Sequence, residues 1–214
     1  ANTMYDVFVF DSGGAPTLEL LAWANDTTRA TALALQDGVL VKSGAATRRY
    51  VGSVRTTGVA GQTEDSRVNR YVWNYYSRVE RNCLNTFTAD RTTGSVTYVE
   101  LNTEIRCNFI VGVSEDDVFA SVCGSAQNSF VSDPVGTAIA FDSTTVAEPG
   151  FESMFGQAAN VTGNIAIAGE KGGLGIGLHF VTVLGRSTST RTNTWHSSSA
   201  GNGAKNYLHL KMLG

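Results

Sequence analysis

The stretch Arg48 to Val79, RRYVGSVRTTGVAGQTEDSRVNRYVWNYYSRV, decides whether this chain is all-β or mixed. Its opening, RRYVGSVRTT, is rich in β-branched and aromatic residues and reads as a strand. Its second half carries the one strong helical signal of the sequence. Val68, Tyr71, Val72, Tyr75, Tyr76 and Val79 fall at i, i+3, i+4, i+7, i+8 and i+11, one stripe of a 3.6-residue helix. Thr63, Asp65 and Ser66 are good capping residues, and Glu64 with Asp65 places negative charge at the positive helix end. The spacing predicts an amphipathic α-helix near residues 64-79, with Val68, Tyr71, Val72, Tyr75 and Tyr76 as its oligomer or core packing face. Trp73 lies beside that stripe and is expected in a core or an interface.

Outward from this stretch the chain reads as strands and turns. YDVFVF (Tyr5 to Phe10), the turn DSGGAP and TLELLAW (Thr17 to Trp23) form a hairpin pattern, and DGVLVKSG pairs with TRRYVGSVRTT around the Gly44 turn. From Arg106 to Val113, Cys107, Phe109, Val111 and Val113 alternate with Arg106 and Asn108, the period of a half-buried strand that only Ile110 breaks. Short β runs follow at Val118 to Cys123, Thr137 to Phe141, Ile165 to Ala168 and Leu178 to Leu184. In NYLHLKML, Leu208, Leu210 and Met212 oppose Tyr207, His209 and Lys211. About ten short strands and one helix predict an all-β, mainly antiparallel fold, a jelly-roll-like β-sandwich, because a parallel sheet would need a helix after nearly every strand. No repeat or linker divides it, so residues 1-214 are expected to form a single β-rich domain.

Composition narrows the function classes. With 42% hydrophobic residues the chain can build a sizeable core, and 16 basic against 19 acidic residues, net −3, give no long-range attraction to nucleic acid or anionic lipid. No apolar run approaches the ~20 residues of a membrane span, so no membrane insertion is expected. Cys83, Cys107 and Cys123 lack zinc spacing and are expected to be reduced, buried thiols, with one disulfide as the alternative.

A search for converging chemistry finds little. His179, His196 and His209 show neither HxH nor HExxH spacing, so no metal site is expected, and His179 and His209 are placed on solvated strand faces. Glu115, Asp116 and Asp117 read as a solvated acidic turn rather than a calcium loop, whose carboxylates alternate. The glycines from Gly169 to Gly177 match neither GxxxxGKS/T nor GxGxxG, so no nucleotide cofactor is implied; they suit a bulge or a close backbone approach. No GxSxG elbow occurs, and no enzyme is expected, although a pair of carboxylates for glycoside hydrolysis need not be close in sequence.

The polar stretch GRSTSTRTNTWHSSSAGNGAK (Gly185 to Lys205) reads as a long connection, and loops of that length are commonly functional or disordered. Trp195 stands in it with Arg191, Asn193 and His196, where no helix or strand period explains a large aromatic. These four are the candidate ligand-binding residues, since aromatics among short polar residues make adaptable contact surfaces. The competing reading is a Trp195 folded back onto its own domain.

The blocks YDVFVFD, NDTTRATALALQDGV, VKSG, TRRYVGSVRTT, EDS and RYVWNYYSRV, between Tyr5 and Val79, resemble a family of virion structural proteins of tailed bacteriophages and prophages, often labelled tail-fibre or fibre-like. The resemblance covers about residues 5-79, a third of the chain. In similar proteins further sequence precedes this block, which implies that Ala1 opens the C-terminal portion of a longer fibre-like protein. The resemblance implies a symmetric homo-oligomer, a homotrimer by expectation, on a virion assembled in the host bacterial cytoplasm. Its partners would be other virion proteins and a host-surface glycan or protein. It supplies no catalytic residue. A fibre or spike module for host attachment is therefore the first expectation, an architectural decoration or adaptor protein the second, and a polysaccharide depolymerase the third.

Overall fold

The computed structural model describes residues 1–131, 133–156, 158–197 and 204–214. Hydrophobic alternation and turn glycines set the first sheet. It is built from β1 (Met4–Ser12), β2 (Ala15–Ala22), β3 (Leu33–Gln36), β4 (Val39–Lys42) and β5 (Ala45–Arg55), in the order β2-β1-β5-β4-β3, with β7 (Val72–Asn74) also paired to β5. Gly13 and Gly14, both at positive φ, close the two-residue turn between β1 and β2. Met4, Asp6 and Phe8 point to the buried face of β1, and Tyr5, Val7 and Val9 to the other.

The remaining strands form two facing sheets. One holds β8 (Glu80–Thr86), β9 (Arg91–Thr93), β12 (Val118–Gln127), β15 (Thr162–Lys171), β17 (Asn193–Trp195) and β18 (Tyr207–Leu213). The other holds β6 (Asn69–Arg70), β10 (Val99–Glu100), β11 (Cys107–Val111), β13 (Val135–Phe141), β14 (Glu152–Phe155) and β16 (Gly177–Ser187). Three strands are interrupted: β17 and β18 lie end to end along β12, β9 and β8 lie end to end along them, and β10 and β11 lie end to end along β16. Counting each interrupted strand once in chain order, the sheets run 1-8-3-6 and 2-7-4-5. All these neighbours are antiparallel; β6 adds a short parallel edge to β11.

The all-β, antiparallel expectation holds, but the α-helix predicted near residues 64-79 does not form. The only helical element among the described residues is the 3-10 turn Thr103–Ile105. The capping residues serve a tight turn instead: the Ser66 hydroxyl accepts from the amides of Val68 (3.2 Å) and Asn69 (3.1 Å), and the Ser66 amide donates to the Asn69 carbonyl (2.8 Å). Asn74 then ends the strand as an Asx turn, its side-chain oxygen accepting from Tyr76 N at 2.9 Å and Ser77 N at 3.0 Å. Between these turns the period is two. Tyr71, Trp73 and Tyr75 face the core, where Trp73 is 2% exposed, and Val72 pairs with Val54 on the other side. Val68 is half-buried, and Tyr76 is exposed and packs on Tyr75 and Arg49. Tyr, Trp and Val are strand formers, and pairing with β5 settles the conformation.

The first sheet covers part of the outer face of the sandwich, and its core is continuous with it: Met4, Phe8, Tyr50 and Trp73 join one cluster with Phe109, Ile110, Val181 and Leu210. This explains Ile110, the exception to the alternation of β11, which is buried on the face turned to the first sheet. Arg29 fastens the layers. Its guanidinium pairs with buried Asp6 (2.8 Å), donates to the Gly112 carbonyl and lies over the rings of Trp23 and Tyr50. The remaining Asp6 oxygen accepts from the Ser53 hydroxyl at 2.8 Å, so the buried charge is neutralised and hydrogen-bonded. The acidic turn lies at the surface as expected, Glu115 and Asp117 being exposed, and Arg78 pairs there with Glu115 (2.9 Å) and Asp116 (3.0 Å).

Candidate functional site

Two parts of the Gly185 to Lys205 stretch, residues 185–187 and 193–195, are strands of the sandwich. β16 continues to Ser187, and β17 occupies Asn193–Trp195; residues 198–203 lie outside the described residues. Trp195 is 0% exposed, and its indole N–H donates to the Thr137 hydroxyl at 2.8 Å across the two sheets. Asn193 is buried, its side-chain oxygen accepting from Ser129 N. His196 is 4% exposed, with Nδ1 at 3.3 Å from an Asp90 oxygen whose partner oxygen accepts from Ser197 N. Arg191 is exposed and lies over the Phe130 ring at 3.7 Å. Of the four expected ligand-binding residues, three therefore point into the protein. The alternation Asn193, Trp195 follows the strand period, which a polar composition had masked.

The loop is held by a buried carboxylate. Asp133 accepts from the hydroxyls of Ser187 (2.9 Å) and Thr188 (2.9 Å) and from the amides of Thr188 (3.2 Å) and Ser189 (3.1 Å). Burial alone would raise its pKa, but these hydrogen bonds outweigh burial and hold it below the usual carboxylate range. His179, expected on a solvated face, is buried between the Asp142 carboxylate (2.7 Å) and the Gly175 carbonyl (2.9 Å). Burial pulls its pKa down, and the two acceptors more than reverse this, leaving it above 6.5.

Among the described residues, a cleft and an apolar sheet face are candidate contact surfaces. The outward face of the sheet containing β8, β18, β12 and β15 carries a cleft of about 490 Å³ lined by Glu80, Asp117, Phe119, Glu170, His209 and Lys211. Its residues meet through register, Asn82, Lys211, Phe119 and Glu170 forming one row across four strands. Lys211 lies 3.2 Å from Glu80 and lowers that carboxyl's pKa, whereas burial lowers that of His209. No sequence motif announces this cleft, because the four strands are distant in the chain. The second surface is the outer face of the first sheet, where edge strand β2 presents Leu18 (67% exposed) and Leu20 (61% exposed) beside Val9 and Val7. TLELLAW carried that signal in its alternation.

Cys123, expected to be buried, is exposed on the outward face of β12, while Cys83 and Cys107 are buried. Among the described residues no group of three or more His, Cys, Asp or Glu side chains is placed to hold a metal ion. Among them, too, no helix is long and apolar enough to cross a membrane.

No family model matches the chain, and no curated protein matches it. Similar solved structures include the T13 viral particle of IBDV, with 12% identity and a TM-score of 0.43 over 100% of this chain and 50% of that one. Dimeric latent PorU from Porphyromonas gingivalis shows 8% identity and a TM-score of 0.37 over 100% of this chain and 20% of that one. Infectious bursal disease virus Gx strain shows 11% identity and a TM-score of 0.37 over 98% of this chain and 67% of that one. The chain thus spans half of the first of these and a fifth of the second. Likenesses this distant assign no activity, substrate or partner to it.

Proposed function

We propose that this chain is a virion structural module, a non-enzymatic jelly roll that works by assembling with copies of itself and with other particle proteins. The observation that carries the reading is the strand order 1-8-3-6 against 2-7-4-5. This is the order expected of two Greek keys rolled into one sandwich, an architecture found in viral capsid and lectin domains. The architecture hosts other functions too. The choice among them rests on the blocks between Tyr5 and Val79 that resemble tailed-phage virion proteins. The apolar face at Leu18 and Leu20 fits assembly, because exposed leucines side by side on one sheet face offer surface that a neighbouring subunit can cover.

Antibodies raised against the purified chain should label intact particles from a lysate of cells carrying its gene. Label confined to the soluble fraction would sink the proposal. The mass of the purified protein by light scattering should be a small multiple of the chain, with a trimer as the expected form.

A second reading, host-surface attachment, is favoured by the cleft between Glu80 and Glu170. It offers carboxylates, a lysine, a histidine and an aromatic edge, groups that can bind a glycan. Purified protein should then compete with particles for adsorption, and Lys211→Ala should weaken that competition; full adsorption in the presence of excess protein refutes attachment. Oligosaccharide release from host capsule would instead point to a depolymerase.

A further inference from the structure

We propose that His179 is a proton-operated latch: as an imidazolium it ties the glycine-dense 172–176 loop to Asp142, and loss of its proton frees the loop and loosens the seam between the sandwich and the first sheet. The inference does not depend on the virion reading. His179 lies on β16 and is 7% exposed. Its Nδ1 is 2.7 Å from an Asp142 carboxylate oxygen, and its Nε2 is 2.9 Å from the Gly175 carbonyl oxygen. An ionised carboxylate and a carbonyl can only accept, so both ring nitrogens must donate. A neutral imidazole has one N–H and would turn a lone pair onto one of these oxygens at hydrogen-bond distance. The arrangement is complete only with the proton in place.

The two acceptors are fixed to different degrees. Asp142 sits at φ 54°, its amide donating to the Phe180 carbonyl (3.0 Å) and its second carboxylate oxygen accepting from the Phe180 amide (2.9 Å). It is thereby anchored to β16 without help from His179. The loop between β15 and β16 has less to hold it: three of its five residues are Gly172, Gly173 and Gly175, and besides His179 the Ser114 hydroxyl ties it by donating to the Leu174 carbonyl. When the proton leaves, the Asp142 charge keeps the remaining N–H at Nδ1, and the Gly175 carbonyl loses its donor.

The loop borders the seam between the layers. Ile176 packs on the core and, with Leu33 and Leu40 of the first sheet and Val113, lines a cleft of about 420 Å³. Beside it the Leu178 amide donates to the carbonyl of Asp26 (2.8 Å), in the segment joining β2 to β3. A Cβ at Gly177 would stand 2.4 Å from that same oxygen, so backbone meets backbone at this contact. Movement of Gly175 therefore reaches the first sheet within three residues. Around the ring, β11 offers the uncharged Phe109 (centroids 5.6 Å apart), and the Asp26 carboxylate is taken by Arg55 (3.3 and 3.2 Å). Asp142, 41% exposed, is the charged group facing His179, and it gives the proton a path to water. Burial opposes the charge, but Asp142 and Gly175 outweigh it, so the latch is closed below pH 6.5 and opens as pH rises through a folded-state value above that.

The test follows the full chain by NMR from below pH 6.5 to mildly alkaline pH. In acid both His179 ring nitrogens should carry protons. As His179 titrates, protection of the Leu178 amide against hydrogen exchange, corrected for the intrinsic pH dependence, should fall roughly tenfold or more with the same midpoint, while the Val181 and Val183 amides inside β16 keep theirs. Asp142→Asn keeps an acceptor for the Phe180 amide and tolerates positive φ, but removes the charge, and should lower both midpoints together by about one pH unit or more. His209→Gln, on the outward face of the other sheet, should move neither. A single N–H on His179 below pH 6.5, or Leu178 protection that stays constant through the His179 titration, overturns the proposal in the parent protein whether or not the variants fold. An unmoved midpoint in folded Asp142→Asn overturns it as well.

Discussion

Gly52→Ala tests the reading of 64–79 as strand rather than helix. A Cβ at position 52 would overlap the Trp73 carbonyl oxygen and sit 3.3 Å from the Asn74 Cα, both backbone atoms of β7 that cannot turn aside. β7 must then move off β5, weakening the Tyr75 N to Val51 O (3.0 Å) and Arg55 N to Tyr71 O (2.9 Å) hydrogen bonds, each contributing about 1 kcal/mol. The buried Trp73 ring moves with it and loses part of the roughly 3–5 kcal/mol that full truncation of such a side chain costs. Against this stands a gain of about 0.4–1 kcal/mol from restricting the unfolded chain. The net expectation is a loss of about 3 kcal/mol, a fall in melting temperature of roughly 6–12 °C for a domain of this size. Gly58→Ala is the control, since nothing lies within 4 Å of a Cβ there. Urea titrations followed by tryptophan fluorescence compare the two. If both variants match the parent within about 0.5 kcal/mol, β7 does not pair with β5 and the helical reading returns.

Trp195→Ala should destabilise by about 3–5 kcal/mol, because it empties a fully buried site and orphans the Thr137 hydroxyl; calorimetry reads it. For the same reason, deleting Ser187 to Gly203, which removes β17, should abolish folding as read by circular dichroism. Asp133→Asn should cost about 2–3 kcal/mol at pH 7, since the ionised form accepts four distinct donors. Because the folded-state pKa of Asp133 is depressed, this stability is present above the ordinary 3.8 and lost as pH falls through the folded value; the difference from parent should vanish in acid. His179 has the opposite sign. Its pKa is raised, so its contribution is full below 6.5 and fades as pH rises through the folded value, and His179→Gln should approach the parent at high pH in urea titrations.

Much of the fold was legible in the chain. The alternation of Leu208, Leu210 and Met212 or of Cys107, Phe109 and Val111 names strands and their buried faces, because side-chain direction in a strand has a fixed period of two. The candidate site was less legible. Polar neighbours left Trp195 open between a contact surface and a ring folded back onto its own domain; its burial matches the second, and Asn193 and His196 are buried with it, with partners from residues 129 and 90. Burial of a polar side chain depends on partners that local composition does not display.

Sequence by itself settled that the chain is β-rich, that it has core enough for a domain, and that it lacks the local motifs of metal, nucleotide and serine-hydrolase chemistry. Tertiary structure decided the rest. Val68 to Val79 satisfies a helical stripe and a strand alternation equally well, and only pairing of Val72–Asn74 with Gly52, Ser53 and Val54 breaks the tie. The cleft from Glu80 to Glu170 likewise arises between strands far apart in the chain. Residue order carries local period, and register between distant strands is fixed only when they pack.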